Sequence, residues 1–408
     1  MTVAALTPAF SSTAAAQSSP RVGVTGPTGD AFYAPPVLLP GKQHGDLVWS
    51  RNLDNPDMSL KNAKNILVMY RSEAADGTPI GVTGIVSVPN KAAPAGGFPI
   101  LSYTHGTVGV TDICAPSKSR EGGPQGPYAY GYNMLQHNML QLFLDAGWVV
   151  VRTDYEGLGP PDRTHPYVSG PSEAHGALDI ARAARQLFPG QISTKLGLAG
   201  HSQGGHAALW SGSMQPTYVP EFKLVGVAAM AAGSNSAQAA ALALQPIKGF
   251  TVAFLPMLLN AFLAENPKYK PEGILSAKGL ALWSQLEQRC AEGLRKEDSW
   301  AGQPANEMFQ LNSPVFLEWA KYMAANSAMG LKINAPVRYS ASIDDEVVPF
   351  AWTVDLAAVS RSVGNDVQEE VIDQSAPLPP GLTRHFGQII TDGPRVFRWL
   401  QAKLETTP

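Results

Sequence analysis

Residues 198–209 read LAGHSQGGHAAL, a serine set among glycines with an apolar run on either side. Gly200, Ser202 and Gly204 satisfy the pattern Gly-x-Ser-x-Gly. With 39 glycines in 408 residues, chance supplies roughly 0.3 such matches, so the pattern alone decides little. It acquires meaning from a buried strand running in and a helix running out. KLGLAG at 195–200 reads as that strand, and GGHAALWSGSM at 204–214 carries helical periodicity. Such a turn forces the serine into a strained conformation and leaves no room for side chains two residues before or after it, where Gly200 and Gly204 stand. The hydroxyl is then presented above the carboxyl ends of the strands. A helix N-terminus beneath it favours negative charge.

Outward from this turn, apolar β-branched runs bounded by Gly and Pro predict strands at 65–70, 81–89, 98–106, 147–157, 223–231, 335–342 and 369–374. Helical spacing covers 132–147, 173–188, 348–364 and 393–404. After the first strands, strand alternates with helix, which predicts an α/β fold: a mostly parallel central sheet with helices on both faces. The alternation stops over 234–333, a helix-leaning stretch rich in Ala, Leu, Met and Trp. The core is therefore assigned to 31–233 and 334–408, with 234–333 as a helical cap inserted between its halves.

A serine nucleophile needs a base, and the base needs an orienting carboxylate. In this topology the chain order is serine, acid, histidine. Only His206 and His385 follow Ser202. His206 lies four residues along the same helix and faces along it, which leaves His385, expected in a loop before the last helix. Asp344, Asp345 and Glu346 follow the strand at 335–342, and Asp345 fits the acid best, its neighbours reading as solvated or helix-capping. Backbone N–H groups of Gln203 and of Thr107, in the turn His105-Gly106-Thr107, are the expected donors to the acyl oxygen. Asp154, Tyr155 and Glu156 read as loop-holding groups.

Composition narrows the partners. The chain is 44% hydrophobic and 15% charged, with a formal net charge of −3 and no run of Lys or Arg. That argues against nucleic acid and anionic membrane as partners. The longest uncharged stretch, 249–264, is interrupted by Pro256 and Asn260 and is shorter than the roughly 20 residues of a membrane span. Its Phe250, Phe254, Leu255, Met257, Leu258, Leu259 and Phe262 suit an apolar wall over a substrate, and equally the packing of helices. His165, His175 and His201 lack metal-ligand spacing, and no phosphate-binding glycine loop accompanies the strands, so neither metal nor cofactor is expected. Residues 1–30 read as a signal-like or disordered segment, with three alanines at 14–16 resembling a cleavage site. Cys114 and Cys290 leave two alternatives, one disulfide or two buried thiols.

Taken together, YTHGT (103–107), CAPS (114–117), TDYEGLG (153–159), HPYVSG (165–170), GHSQGGHAAL (200–209), DDEVVP (344–349) and His385 resemble the microbial secretory lipases. These are α/β-hydrolases with a large helical cap. The resemblance implies a Ser202-Asp345-His385 triad, a cap at 234–333 over the acyl pocket, and a Cys114–Cys290 disulfide tying a core loop to that cap. It also implies a secreted or periplasmic protein acting on a small-molecule or lipid ester. One departure stands out: some members carry an acidic side chain at the oxyanion turn, where this chain has His-Gly-Thr, so backbone donors alone are left. The expected activity is carboxylic-ester hydrolysis through an acyl-enzyme. A peptidase, thioesterase or acyltransferase on the same elbow is the alternative, with a noncatalytic binding protein behind it.

Overall fold

Apolar runs without polar alternation suit strands covered on both faces, and such runs make the centre of the sheet. The computed structural model describes residues 24–123, 125–373 and 383–407. The alanines at 14–16 lie outside them. The strands are β1 (Leu47–Asn52), β2 (Ala63–Glu73), β3 (Pro79–Pro89), β4 (Phe98–Thr104), β5 (Val149–Thr153), β6 (Ile192–His201), β7 (Lys223–Met230), β8 (Val337–Ser342) and β9 (Val367–Ile372). They form one sheet in the order β1-β2-β3-β5-β4-β6-β7-β8-β9. The pairs β1–β2, β2–β3 and β3–β5 are antiparallel. Every later pair across the sheet is parallel, as the strand–helix alternation requires.

Successive residues of each central strand face opposite layers. Leu101 and Val150 pack against Leu140 and Phe143 of α1 (Gly126–Asp145) and Val396 and Leu400 of α12 (Arg384–Thr406). Ile100, Val151 and Leu198 pack against Leu178 and Ile180 of α2 (Gly170–Leu187) and Leu209 of α3 (Gln203–Tyr218). Each fully buried Leu, Ile, Val or Phe contributes about 1.5–3 kcal/mol relative to exposure. β6 lies inside the parallel part, between β4 and β7, so its C-terminal turn opens where both neighbouring loops can reach it.

Between β7 and β8 the chain forms α4 (Ser236–Ala241), α5 (Phe254–Glu265), α6 (Ala277–Trp283), α7 (Gln285–Gln288), α8 (Ala291–Leu294), α9 (Ala305–Met308) and α10 (Pro314–Ala325). These helices share a core of their own, with Leu259, Phe262, Trp300, Trp319 and Met323 buried together. At its base, Ser327 Oγ and Ala328 N–H both donate to Ser234 O, at 2.9 and 3.1 Å. Cys114 and Cys290 are disulfide-bonded, Cα to Cα 5.5 Å, which ties the loop after β4 to the start of α8. Beside the bond, Ala291 N–H donates to Val108 O at 2.9 Å. Among the described residues no helix is long and apolar enough to cross a membrane.

Three boundaries differ from the sequence reading. The last helix starts at Arg384, not at 393, and runs through Pro394. Gly-Pro resembles a helix start because proline suits the first turn, but Phe386 and Ile389 before the proline are buried as Val396 and Leu400 are after it, so packing carries the helix across. β5 stops at Thr153, because Tyr155 takes φ 69° and turns the chain. β1 is an added edge strand, and Val24 and Gly26, inside the 1–30 segment set apart by composition, hydrogen-bond to Ser50.

Candidate active site

Ser202 sits between β6 and α3 with φ 59° and ψ −121°, a conformation that costs a non-glycine residue on the order of 1–3 kcal/mol. Its N–H donates to Met230 O at 2.9 Å, and its carbonyl accepts from Gly233 N–H at 3.1 Å, so β7 and the turn after it hold the strain in place. The flanking glycines are sterically compelled. A Cβ on Gly200 would lie 2.1 Å from Gly204 O, and one on Gly204 would lie 2.0 Å from Thr104 O.

The structure brings His385 and Asp345 together. His385 lies in the first turn of α12, buried, with Nδ1 2.8 Å from Asp345 Oδ2 and 3.0 Å from Oδ1. Asp345 Oδ1 also accepts from the N–H groups of Val347 (2.9 Å) and Val348 (2.8 Å), and Oδ2 from Gln388 Nε2 (2.9 Å). Burial alone would raise the Asp345 pKa, but the His385 imidazole and the two backbone N–H groups hold it below the ordinary carboxylate value. Asp345 thus stays ionised and fixes the tautomer with hydrogen on Nδ1, leaving the Nε2 lone pair to accept a proton. Arg338 of β8 and Asp392 of α12 form a buried two-point ion pair, at 2.8 and 2.6 Å, that joins the elements carrying the acid and the histidine.

Among the described residues Ser202 Oγ makes no hydrogen bond to His385; in free enzymes such bonds are often long and tighten only on binding. The link runs instead through the neighbouring residue, His201, whose Nε2 lies 2.8 Å from His385 O. The N–H groups of Gln203 and Thr107 have no acceptor among the described residues, and β4 pairs in register with β6 at Thr104 and Gly200, which sets their loops side by side. Thr107 Oγ1 is 2.7 Å from Tyr167 Oη.

The remaining candidates are accounted for. His206 points away from the elbow, with Nδ1 2.9 Å from Glu173 Oε2 and Nε2 2.7 Å from Asn326 O. The buried Glu173 also accepts from Gln203 Nε2 at 2.7 Å, and the same amide donates to His165 Nε2 at 2.7 Å. Burial pulls the His165 pKa down to about 3, keeping the ring neutral as that acceptor. Asp154 accepts from Thr83 Oγ1 at 2.7 Å and from Ser117 N–H at 2.8 Å and Oγ at 2.5 Å, a loop-holding role; burial raises its pKa. Asp344 is exposed, whereas Glu346 does more than meet solvent: its Oε2 accepts the His385 backbone N–H at 3.2 Å. Sequence reasoning missed Glu346, Gln388 and the contact of His201; only Gln388, one turn beyond His385 on the same helix, had a local signal.

Ser202 and Gln203 open into a narrow cavity of about 70 Å³. Phe254, Leu255 and Leu258 of α5 wall one side, and Val348 and Trp352 wall another. Among the described residues no group of three or more His, Cys, Asp or Glu could hold a metal ion.

A nine-stranded, mostly parallel sheet with a serine elbow at its centre and an acid and a histidine from the last strands and helix places the protein among the α/β-hydrolases. The family model for secretory lipases matches residues 132–408, and the chain belongs to that family. It is 26% identical over 414 residues to Lipase 10 of Candida albicans, covering 95% of this chain and 83% of the relative. To the secreted triacylglycerol lipase LIP4 of Malassezia globosa it is 25% identical over 390 residues, covering 93% and 81%. Candida antarctica lipase A superposes with a TM-score of 0.74 at 19% identity, over 92% of this chain and 85% of that one, which speaks for the fold. The protein is a carboxylic ester hydrolase.

Proposed function

We propose that the protein hydrolyses lipid esters through an acyl-enzyme on Ser202, with His385 as base and then acid and Asp345 as its orienting carboxylate. The observation that carries this reading is the Asp345–His385 pair, with the backbone carbonyl of His385 held by His201, the neighbour of a strained serine at the mouth of an apolar cavity. His385 Nε2 takes the proton of Ser202 Oγ as that oxygen bonds to the acyl carbon. The N–H groups of Gln203 and Thr107 receive the negative charge on the acyl oxygen, where each preorganised donor is worth about 10²–10³ in rate. His385 returns the proton to the departing alcohol, and water repeats the sequence to release the acid.

The helices of 234–333 act as a cap in this reading, because α5 supplies the apolar wall beside Ser202. Secretion is part of the same proposal, supported by the likeness to the secreted Malassezia lipase and by a disulfide of the kind that persists in oxidising compartments. The test is hydrolysis of p-nitrophenyl esters from acetate to palmitate by wild type and Ser202→Ala in parallel. Activity on medium and long chains that vanishes in Ser202→Ala is expected. Activity confined to acetate would exclude lipid esters, and activity that survives in Ser202→Ala would exclude the acyl-enzyme.

A further inference from the structure

The two halves of the proposed machinery, the oxyanion turn after β4 and the histidine on α12, belong to elements that never pair in the sheet. A chain of polar contacts spans the gap. Gly106 N–H donates to Tyr132 Oη at 2.8 Å, Tyr132 Oη lies 3.3 Å from His201 Nδ1, and His201 Nε2 lies 2.8 Å from His385 O. We infer that Tyr132 and His201 are positioning residues, a relay that fixes the oxyanion turn relative to the backbone of His385. This rests on the Ser202 and His385 reading above.

The bonds leave only one consistent direction. A carbonyl oxygen only accepts, so His201 Nε2 carries hydrogen. A neutral ring then presents Nδ1 as an acceptor, Tyr132 donates its O–H to it, and the phenol oxygen is left to accept the Gly106 N–H. Burial holds the His201 pKa well below 6.5, and a proton on His385 would lower it further, so the ring is neutral. That neutrality suits the chemistry, since the His201 and His385 ring centroids are 4.5 Å apart and His385 must become cationic in the transition state. The packing is equally committed: a Cβ on Gly106 would lie 2.1 Å from Tyr132 Oη, and the Tyr132 ring meets Phe386, the residue after His385, edge-on at 5.3 Å. Thr107, whose N–H faces the acyl oxygen in this reading, follows Gly106 directly, so loosening the relay misplaces an oxyanion donor.

The experiment measures kcat and KM on p-nitrophenyl butyrate for the full chain, with kcat counted per site titrated by an alkyl phosphonate, so that a fall in folded enzyme does not register as a fall in rate. Tyr132→Phe and His201→Leu are each expected to lower per-site kcat about tenfold with little change in KM, the scale of a slightly misplaced catalytic group. His201→Gln, whose amide N–H still reaches His385 O, is expected to stay within about threefold of wild type. Tyr132→Phe/His201→Leu should be no worse than the poorer single variant, because both break one chain. Wild-type per-site kcat in Tyr132→Phe, equal losses in His201→Gln and His201→Leu, or losses that multiply in the double variant would each overturn the relay. Failure of the underlying reading is distinct: Ser202→Ala would stay active and the phosphonate would label another residue.

Discussion

Replacing both half-cystines, Cys114→Ala with Cys290→Ala, isolates what the cross-link contributes. The bond closes a loop with a sequence separation of 176 residues. In the chain-entropy treatment a loop of that length removes about 5 kcal/mol of unfolded-state entropy at 25 °C, while measured losses run about 2–5 kcal/mol. A chain of 408 residues gains roughly 0.9 kcal/mol per kelvin in unfolding entropy near its midpoint, so Tm should fall by about 2–6 °C. The assay is circular-dichroism melting without reductant, at several scan rates, after thiol titration of the denatured wild type shows no free sulfhydryl. A second effect should accompany the first. The cross-link lies beside the Ala291 N–H to Val108 O bond, and Val108 follows Thr107, so per-site kcat should drop as well. Melting curves that overlay within about 1 °C would refute the claim that this bond restrains the chain.

Further outcomes follow from single side chains. Asp345→Asn should lower kcat about 10³- to 10⁴-fold with little change in KM, as expected when the imidazole loses its orienting anion; steady-state kinetics within tenfold of wild type would contradict that role. Gly204→Ala, whose new Cβ would lie 2.0 Å from Thr104 O, should cost about 3 kcal/mol or more, whereas Gly131→Ala, on α1 with nothing within 4 Å among the described residues, should gain about 0.5–1 kcal/mol. Urea midpoints that fail to move in opposite directions would be against it. Burial and the Arg152 charge pull His137 from 6.5 to about 3, so below pH 6.5 the unfolded chain binds a proton that the folded chain refuses, and stability is lost as pH falls towards 3. Between pH 7 and 5, wild type should therefore lose about 2 kcal/mol more than His137→Gln, read as urea midpoints at both pH values, and parallel losses would count against this.

The sequence carried those features whose physics is local. The elbow glycines, the unbroken apolar strands and the order of Ser202, Asp345 and His385 each follow from spacing, and the structure brings Asp345 and His385 into contact. What escaped was set by distant packing. The start of α12 could not be read past Gly393-Pro394, because the burial of Phe386 that extends it is supplied by Tyr132 of α1. β1 alternates poorly, with a mixed burial pattern suited to an edge, and left no clear period. Glu346 looked like a solvated acid because its partner, the His385 N–H, comes from another element. His201 lacks metal-ligand spacing and offers no other local signal, because its partners, a tyrosine and a carbonyl, come from distant elements. The apolar stretch at 249–264 admits two readings, and the residues divide between a cavity wall and helix packing: Phe254, Leu255 and Leu258 line the cavity while Leu259 and Phe262 bury into the helices behind it.

The hydrogen bonds from Ser327 and Ala328 to Ser234 bear on how this enzyme could acquire new substrates. They clasp the stem of an excursion that leaves on β7 and returns on its sheet neighbour β8, so the sheet registers only a crossover, whatever is threaded between. A transplant taken from a relative needs to match that clasp and the Asn326 groups that meet His206 and Gly170, and it would replace the α5 wall of the cavity while leaving Ser202, Asp345 and His385 on host segments. The graft has one covalent obligation. Unless it brings a cysteine to the place of Cys290, it leaves Cys114 as a buried unpaired thiol beside the turn proposed to hold the oxyanion.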